Sequence, residues 1–206
     1  LDQITTLSVA DSHVGDPGVS QLVRLKSIEN LNLAGTLVTG AGLTALAELP
    51  KLTTLTLDRT VYLEDAGYAS LAKCPGLKEL SLQSAGVTDA LFPNLKGAEG
   101  LEVLRIGNCL NMLGKEFSAI VKAGGFSKLR ELYVGNSTFV YYCLLELNRL
   151  KDLEVLEVSH PLMNDGFIPN FQGCSKLRRL AASNSAMSNE GLKLIARFPK
   201  LEELEL

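Results

Sequence analysis

The sequence predicts an α/β solenoid: a curved stack with parallel strands on its concave face and short helices on its convex face, eight repeats plus a terminal strand. Three observations predict it. Leucine-like residues recur along the whole chain in the spacing L-x-x-L-x-L, at intervals close to 24 residues. A second block, of the form V-T-D-x-G-L, follows the first at a near-constant distance. Prolines then stand where a helix begun by that block would have to stop. Self-similarity of this kind marks a repeat architecture, in which no unit can bury its apolar side alone and the stack shares one core.

Each unit opens with its strand. The apolar sets are Ile4/Leu7/Val9, Ile28/Leu31/Leu33, Leu52/Leu55/Leu57, Leu77/Leu80/Leu82 and Leu101/Leu104/Ile106. They continue as Leu129/Leu132/Val134, Leu153/Leu156/Val158, Leu177/Leu180/Ala182 and the terminal Leu201/Leu204/Leu206. Successive sets begin 24, 24, 25, 24, 28, 24, 24 and 24 residues apart. Side chains alternate faces along a strand, so the residues between the leucines look away from the core.

The helix follows. Val38-Thr39-Gly40-Ala41-Gly42-Leu43 aligns with Leu63-Glu64-Asp65-Ala66-Gly67-Tyr68, Val87-Thr88-Asp89 and Met187-Ser188-Asn189-Glu190-Gly191-Leu192. Apolar residues three apart then mark one inward helical stripe, as in Leu43/Leu46/Leu49 and Leu192/Ile195/Phe198. Pro50, Pro75 and Pro199 end these helices. The column Asp16, Asp65, Asp89, Asp165 and Asn189 is expected to supply N-cap oxygens to the helix each residue begins, which also accounts for its acids without a metal. Helices are wider than strands, so the stack curves with its strands inside.

In these strands and helix starts the chain resembles the leucine-rich-repeat proteins, and its 24-residue period with V-T-G-A-G-L resembles the bacterial, GALA-like subclass. The resemblance covers essentially every residue. It implies a right-handed solenoid and, for function, a non-enzymatic scaffold binding another protein on its concave face. The alternative it leaves open is an exported or cell-surface repeat protein that binds a glycan or other ligand. Many relatives carry an asparagine ladder at the ninth position of the unit, where this chain has Ser12, Thr36, Thr60, Ala85, Cys109, Ser137, Pro161 and Ser185. Hydroxyls can take over part of such a ladder; Ala85, Cys109 and Pro161 should weaken it.

Composition narrows the function further. A net charge of −3 argues against nucleic acid, because phosphate binding needs a basic face. No apolar run approaches the ~20 residues that span a bilayer, so membrane insertion is not expected. Cys74 and Cys174 fall in the core column of Leu49, Leu150 and Phe198, four units apart, roughly 19 Å at strand spacing and too far for a disulfide. Cys109 replaces a ladder residue and Cys143 falls in a helix, so all four are expected to be buried free thiols. His13 and His160 lie six strands apart and cannot share a metal or a triad; His160 reads as a turn residue in the column of Asn108, Asn136 and Asn184. No catalytic residue, metal or cofactor is expected. The chain starts at Leu1 without an initiator Met, so the lack of a leader decides no compartment. The resemblance leans towards export, and the unpaired cysteines towards a reducing compartment.

Binding residues are sought among the outward strand positions. Between the second and third leucines the units carry Ser8, Asn32, Thr56, Ser81, Arg105, Tyr133, Glu157 and Ala181. Arg105, Tyr133 and Glu157 should stand side by side, and Arg and Tyr are enriched where interfaces concentrate their energy. After the first leucine come Glu102, Arg130, Glu154, Arg178 and Glu202, an alternating ladder that should compensate itself. The candidate concave set is Arg105, Tyr133, Glu157, Arg130, Glu154 and Arg179. A second candidate surface is Tyr141 and Tyr142, beside a unit with four extra residues around 115–125, where Gly124-Gly125 reads as a helix stop. No polar capping unit is visible at either end, which predicts a part of a longer protein or a stack that associates end to end. Glu202, Glu203 and Glu205 oppose indiscriminate edge pairing.

Overall fold

The protein is described by a computed structural model covering residues 3–138 and 140–206, with the side chains of all of these except 65, 66, 140 and 141. Nine three-residue strands, β1 (Thr6–Ser8), β2 (Asn30–Asn32), β3 (Thr54–Thr56), β4 (Glu79–Ser81), β5 (Val103–Arg105), β6 (Glu131–Tyr133), β7 (Val155–Glu157), β8 (Arg179–Ala181) and β9 (Glu203–Glu205), form one sheet in chain order. Every pairing is parallel and in the register of the repeat: Leu7, Leu31, Leu55, Leu80, Leu104, Leu132, Leu156, Leu180 and Leu204 align across it. The connections are α1 (Asp16–Leu22), α2 (Gly40–Leu46), a 3-10 helix at Asp65–Lys73, α3 (Leu91–Asn94) and α4 (Lys115–Lys122). They continue with α5 (Val140–Cys143) running into a 3-10 helix at Leu144–Arg149, a 3-10 helix at Asp165–Asn170, and α6 (Asn189–Ile195). Pro93 and Pro169 sit inside two of these segments, where a missing N–H and a ring clash keep the helix short or tight.

The strand leucines and the inward helix stripe meet in one continuous core running from Val19 to Phe198. All four cysteines are free and buried within it. Burial pushes the thiols of Cys74 and Cys109 up to about 11 and that of Cys174 to about 12, so none offers a thiolate at neutral pH. The ladder position is held by hydroxyls: Ser12 and Thr36 donate to the third-leucine carbonyl of their own units at 2.6 Å, and Thr60 does so at 2.5 Å. In two of the three units where weakening was expected, the Leu82 carbonyl accepts the Ala85 N–H at 3.1 Å and the Cys109 thiol at 3.3 Å. His160 is the turn residue its column indicated, its Nδ1 accepting the Leu162 N–H at 3.0 Å.

The acidic column corrects the sequence reading. The N-caps are the residues before it, Gly15, Thr39, Asn164 and Ser188, and the acids bond the next unit instead. Asp16 accepts the Thr39 N–H at 2.8 Å and the Thr39 hydroxyl at 2.6 Å. Asp89 accepts the N–H groups of Leu113 and Gly114 at 2.9 and 2.7 Å. Asp165 takes the N–H and hydroxyl of Ser188. The glycine of the repeat follows from this: a Cβ at Gly42 or Gly191 would strike the carboxylate of Asp16 or Asp165. The side chain of Asp65 lies outside the described residues.

These struts make stability depend on pH. Burial pulls the Asp16 carboxyl upward, but the Thr39 hydroxyl and the N–H groups of Thr39 and Gly42 together hold it below its ordinary value of 3.8. A carboxyl that titrates lower folded than unfolded adds stability above its unfolded pKa and loses it as pH falls through the folded one. Asp16→Ala should therefore cost about 1–2 kcal/mol at pH 7. The gap from wild type in urea denaturation should close as the pH is lowered below about 4. A gap of the same size at pH 7 and at low pH would show that charge is not what holds the two units together.

Candidate functional site

Three-residue strands whose central leucine points inward leave two outward residues each, and these pave the concave floor. On β1–β4 the floor is threonine, serine and asparagine except for Glu79. From β5 onward it changes character, as the sequence indicated. Arg105 pairs in register with Tyr133, and Tyr133 with Glu157, so the three stand on adjacent strands.

The row is preorganised. The Arg105 guanidinium lies over the Tyr133 ring, 4.6 Å from its centroid. It also reaches Glu131 at 3.4 Å and Glu79 at 3.6 Å. The Tyr133 hydroxyl donates to Glu131 at 2.8 Å. Burial first, and the bond to Glu131 second, raise the Tyr133 pKa, so the phenol stays protonated and stays a donor. Exposed ion pairs contribute ~0–1 kcal/mol and a cation over a ring about 0.5–1 kcal/mol. Their joint effect is to fix the rotamers of a long side chain and a ring before any partner arrives, which lowers the ordering cost of binding. Glu157, next in the row, is half-buried; desolvation raises its pKa, Arg179 opposes the rise and Glu205 adds to it.

The other candidates sit elsewhere. Arg130 and Glu154 lie on the rim at the start of the strands, in the ladder expected there: Glu102–Arg130 at 3.9 Å, Arg130–Glu154 at 2.8 Å, Glu154–Arg178 at 3.6 Å. Lys78, 3.1 Å from Glu102, extends it by one rung that the column reading did not include. Arg179 is on the floor, held by Glu203 at 3.0 Å and Glu205 at 3.5 Å. Tyr142 is half-buried beside α4, with the Lys115 ammonium 5.1 Å from its ring centroid. The side chain of Tyr141 lies outside the described residues.

Two features escaped the sequence reading. Among the described residues, Leu37, Val61, Tyr62, Leu110, Leu113 and Leu162 are exposed apolar residues on the loops between strand and helix, Leu110 being 73% exposed. They lie one to four positions after the ladder residue, a column that carries no fixed pattern. The second is a cavity of about 710 Å³ between α3 and α4, floored by Leu95, Ile120 and Phe126. The four-residue insertion makes α4 the longest α-helix here and opens that space. Among the described residues no group of three or more His, Cys, Asp or Glu is placed to hold a metal ion. No helix among them is long and apolar enough to cross a membrane.

Solved structures share this architecture. Internalin C2 of Listeria monocytogenes superposes with a TM-score of 0.69 at 21% identity, over 98% of this chain and 80% of that one. The fold is that of the leucine-rich-repeat proteins. Two larger leucine-rich-repeat proteins match over 94% of this chain: the ectodomain of the Arabidopsis receptor kinase HAESA in complex with an IDA peptide hormone (TM-score 0.63, 18% identity, 32% of that chain), and TLR13 in complex with ssRNA13 (0.61, 19%, 30% of that chain). This leucine-rich-repeat chain thus spans about a third of those two. No family model matches the sequence, and no curated protein matches it.

Proposed function

We propose that this leucine-rich-repeat chain is a non-enzymatic scaffold that binds another protein on its concave face, with Tyr133 at the centre of the contact. The observation that carries the reading is the Arg105–Tyr133–Glu157 row: an aromatic ring and an arginine, already locked to each other, on the rigid floor of a curved sheet. Rigid aromatic and arginine anchors are the residue types on which interfaces concentrate affinity. The known complexes of the same fold with a peptide hormone and with RNA support ligand capture as a use of such a surface. Between those two ligand classes, the net charge of −3 favours protein over phosphate backbone.

The test is affinity capture from the source organism's extract, followed by titration of the captured partner against wild type and Tyr133→Ala. Loss of a central aromatic should weaken binding by a factor of about 10 or more. Unchanged affinity, with the variant folded by circular dichroism, would move the contact off this face.

A further inference from the structure

The net charge of this molecule is matched by the balance on one face. The outward strand positions of the sheet carry five glutamates, Glu79, Glu131, Glu157, Glu203 and Glu205, and two arginines, Arg105 and Arg179, a balance of −3. The whole chain has 23 acids and 20 bases, net −3, so everything outside the concave floor holds 18 of each and is neutral. The floor is also uneven along its length. Apart from Glu79, β1–β4 carry no charge on it, and the other six charges stand on β5–β9.

Pairing narrows this further. Arg105 is bracketed by Glu79 and Glu131, and Arg179 by Glu203 and Glu205. Among the described residues Glu157 is left as the floor glutamate with neither an ion pair nor a side-chain hydrogen bond. Its carboxylate lies down over Gly135, where a Cβ would collide with it. On one side stands Tyr133 and on the other Ala181, whose methyl group offers the carboxylate no hydrogen bond. A half-desolvated acceptor without a donor is costly in the free protein and gains most when a partner brings the donor.

We propose that the concave face receives a basic segment of another protein over β5–β9, with one lysine or arginine side chain pairing with Glu157. This rests on the concave-face reading above and adds the chemistry of the partner. Complementary charge would act mainly on specificity and on the rate of encounter, with Tyr133 supplying contact area. The uncharged strands β1–β3 would contribute little.

The test uses the full chain and two fluorescein-labelled peptides, one alternating lysine and alanine and one alternating glutamate and alanine, read by anisotropy. Wild type should bind the lysine peptide and not the glutamate peptide, more weakly as NaCl rises from about 50 to about 300 mM. Glu157→Gln should weaken the lysine peptide about 5-fold or more. Glu99→Gln, which removes an equal charge from an exposed convex position, should leave it unchanged. Equal losses in the two variants, equal binding of the two peptides, or no binding of the lysine peptide would each overturn the proposal. A captured partner that loses affinity with Tyr133→Ala but not with Glu157→Gln would overturn the basic-segment inference and leave the concave-face reading standing. Indifference to Tyr133→Ala would remove that reading itself.

Discussion

Phe117→Ala is expected to destabilise the chain by about 3–5 kcal/mol, the range for deleting a buried aromatic. Phe117 is fully buried on α4 and sits at the centre of a ring cluster: 5.3 Å from Phe92 of α3, edge-on, and 5.5 Å from Phe126, stacked. Phe126 has φ 54°, in the left-handed region, which a bulky residue occupies at a cost of ~1–2 kcal/mol. Removing Phe117 thus deletes its own burial and half of what holds a strained neighbour in place. In a solenoid each unit contacts its neighbours alone, so the loss should also weaken the coupling between the units on either side of the insertion. Urea denaturation should show a lower midpoint, and hydrogen exchange should show faster local opening around 115–134. Phe117→Leu, which keeps most of the apolar volume, should cost about 1.5 kcal/mol or less. An alanine variant within ~1 kcal/mol of wild type would mean that the cavity between α3 and α4 collapses onto the missing ring.

This cluster marks where sequence reading stops. The insertion was legible as a 28-residue interval, and Gly124-Gly125 as its stop, because length and glycine are local signals. That Phe92, Phe117 and Phe126 meet was not legible, because it depends on how far the longer helix tilts from its neighbour. The strands were readable to the residue, since a two-residue alternation repeated nine times fixes both face and register. For the same reason the Arg105–Tyr133–Glu157 row could be placed from the sequence alone. Its polar closure could not: Glu79 and Glu131 occupy the other outward column, and only side-chain length and rotamer decide that both turn to Arg105. The exposed loop residues from Leu37 to Leu162 stayed hidden because scattered apolar residues after a ladder position look like core until the loops are built.

The acidic column failed in an instructive way. The residue type, spacing and nearness to helix starts were read correctly, but the bonded helix belongs to the following unit. An N-cap explains an acid at a helix start just as well within one unit, and a linear pattern does not distinguish the two. What does distinguish them is the glycine three residues after the capping hydroxyl, Gly42 after Thr39 and Gly191 after Ser188, which makes room for a carboxylate arriving from outside.

That rule identifies the second position at which a small change should have a large effect. In the second unit the acid is replaced by Gly40, so no carboxylate reaches the third unit from that place. Gly67, the equivalent of Gly42 and Gly191, meets the backbone of α2 instead. A Cβ on Gly67 would stand 2.5 Å from the Gly40 Cα, and one on Gly40 would stand 2.8 Å from the Gly67 Cα. At Gly42 the obstacle is the end of a side chain that can swing away; at Gly67 it is main chain, which moves only if two helices separate. Gly67→Ala should therefore cost about 2–3 kcal/mol, overpacking outweighing the ~1 kcal/mol that alanine gains over glycine in a helical segment. Gly40→Ala should cost a similar amount, and the double variant less than the sum, because the first methyl already forces the helices apart. Denaturant midpoints of the four proteins would decide it. Additive losses, or a Gly67→Ala protein as stable as wild type, would mean that the two helices are not held at backbone contact.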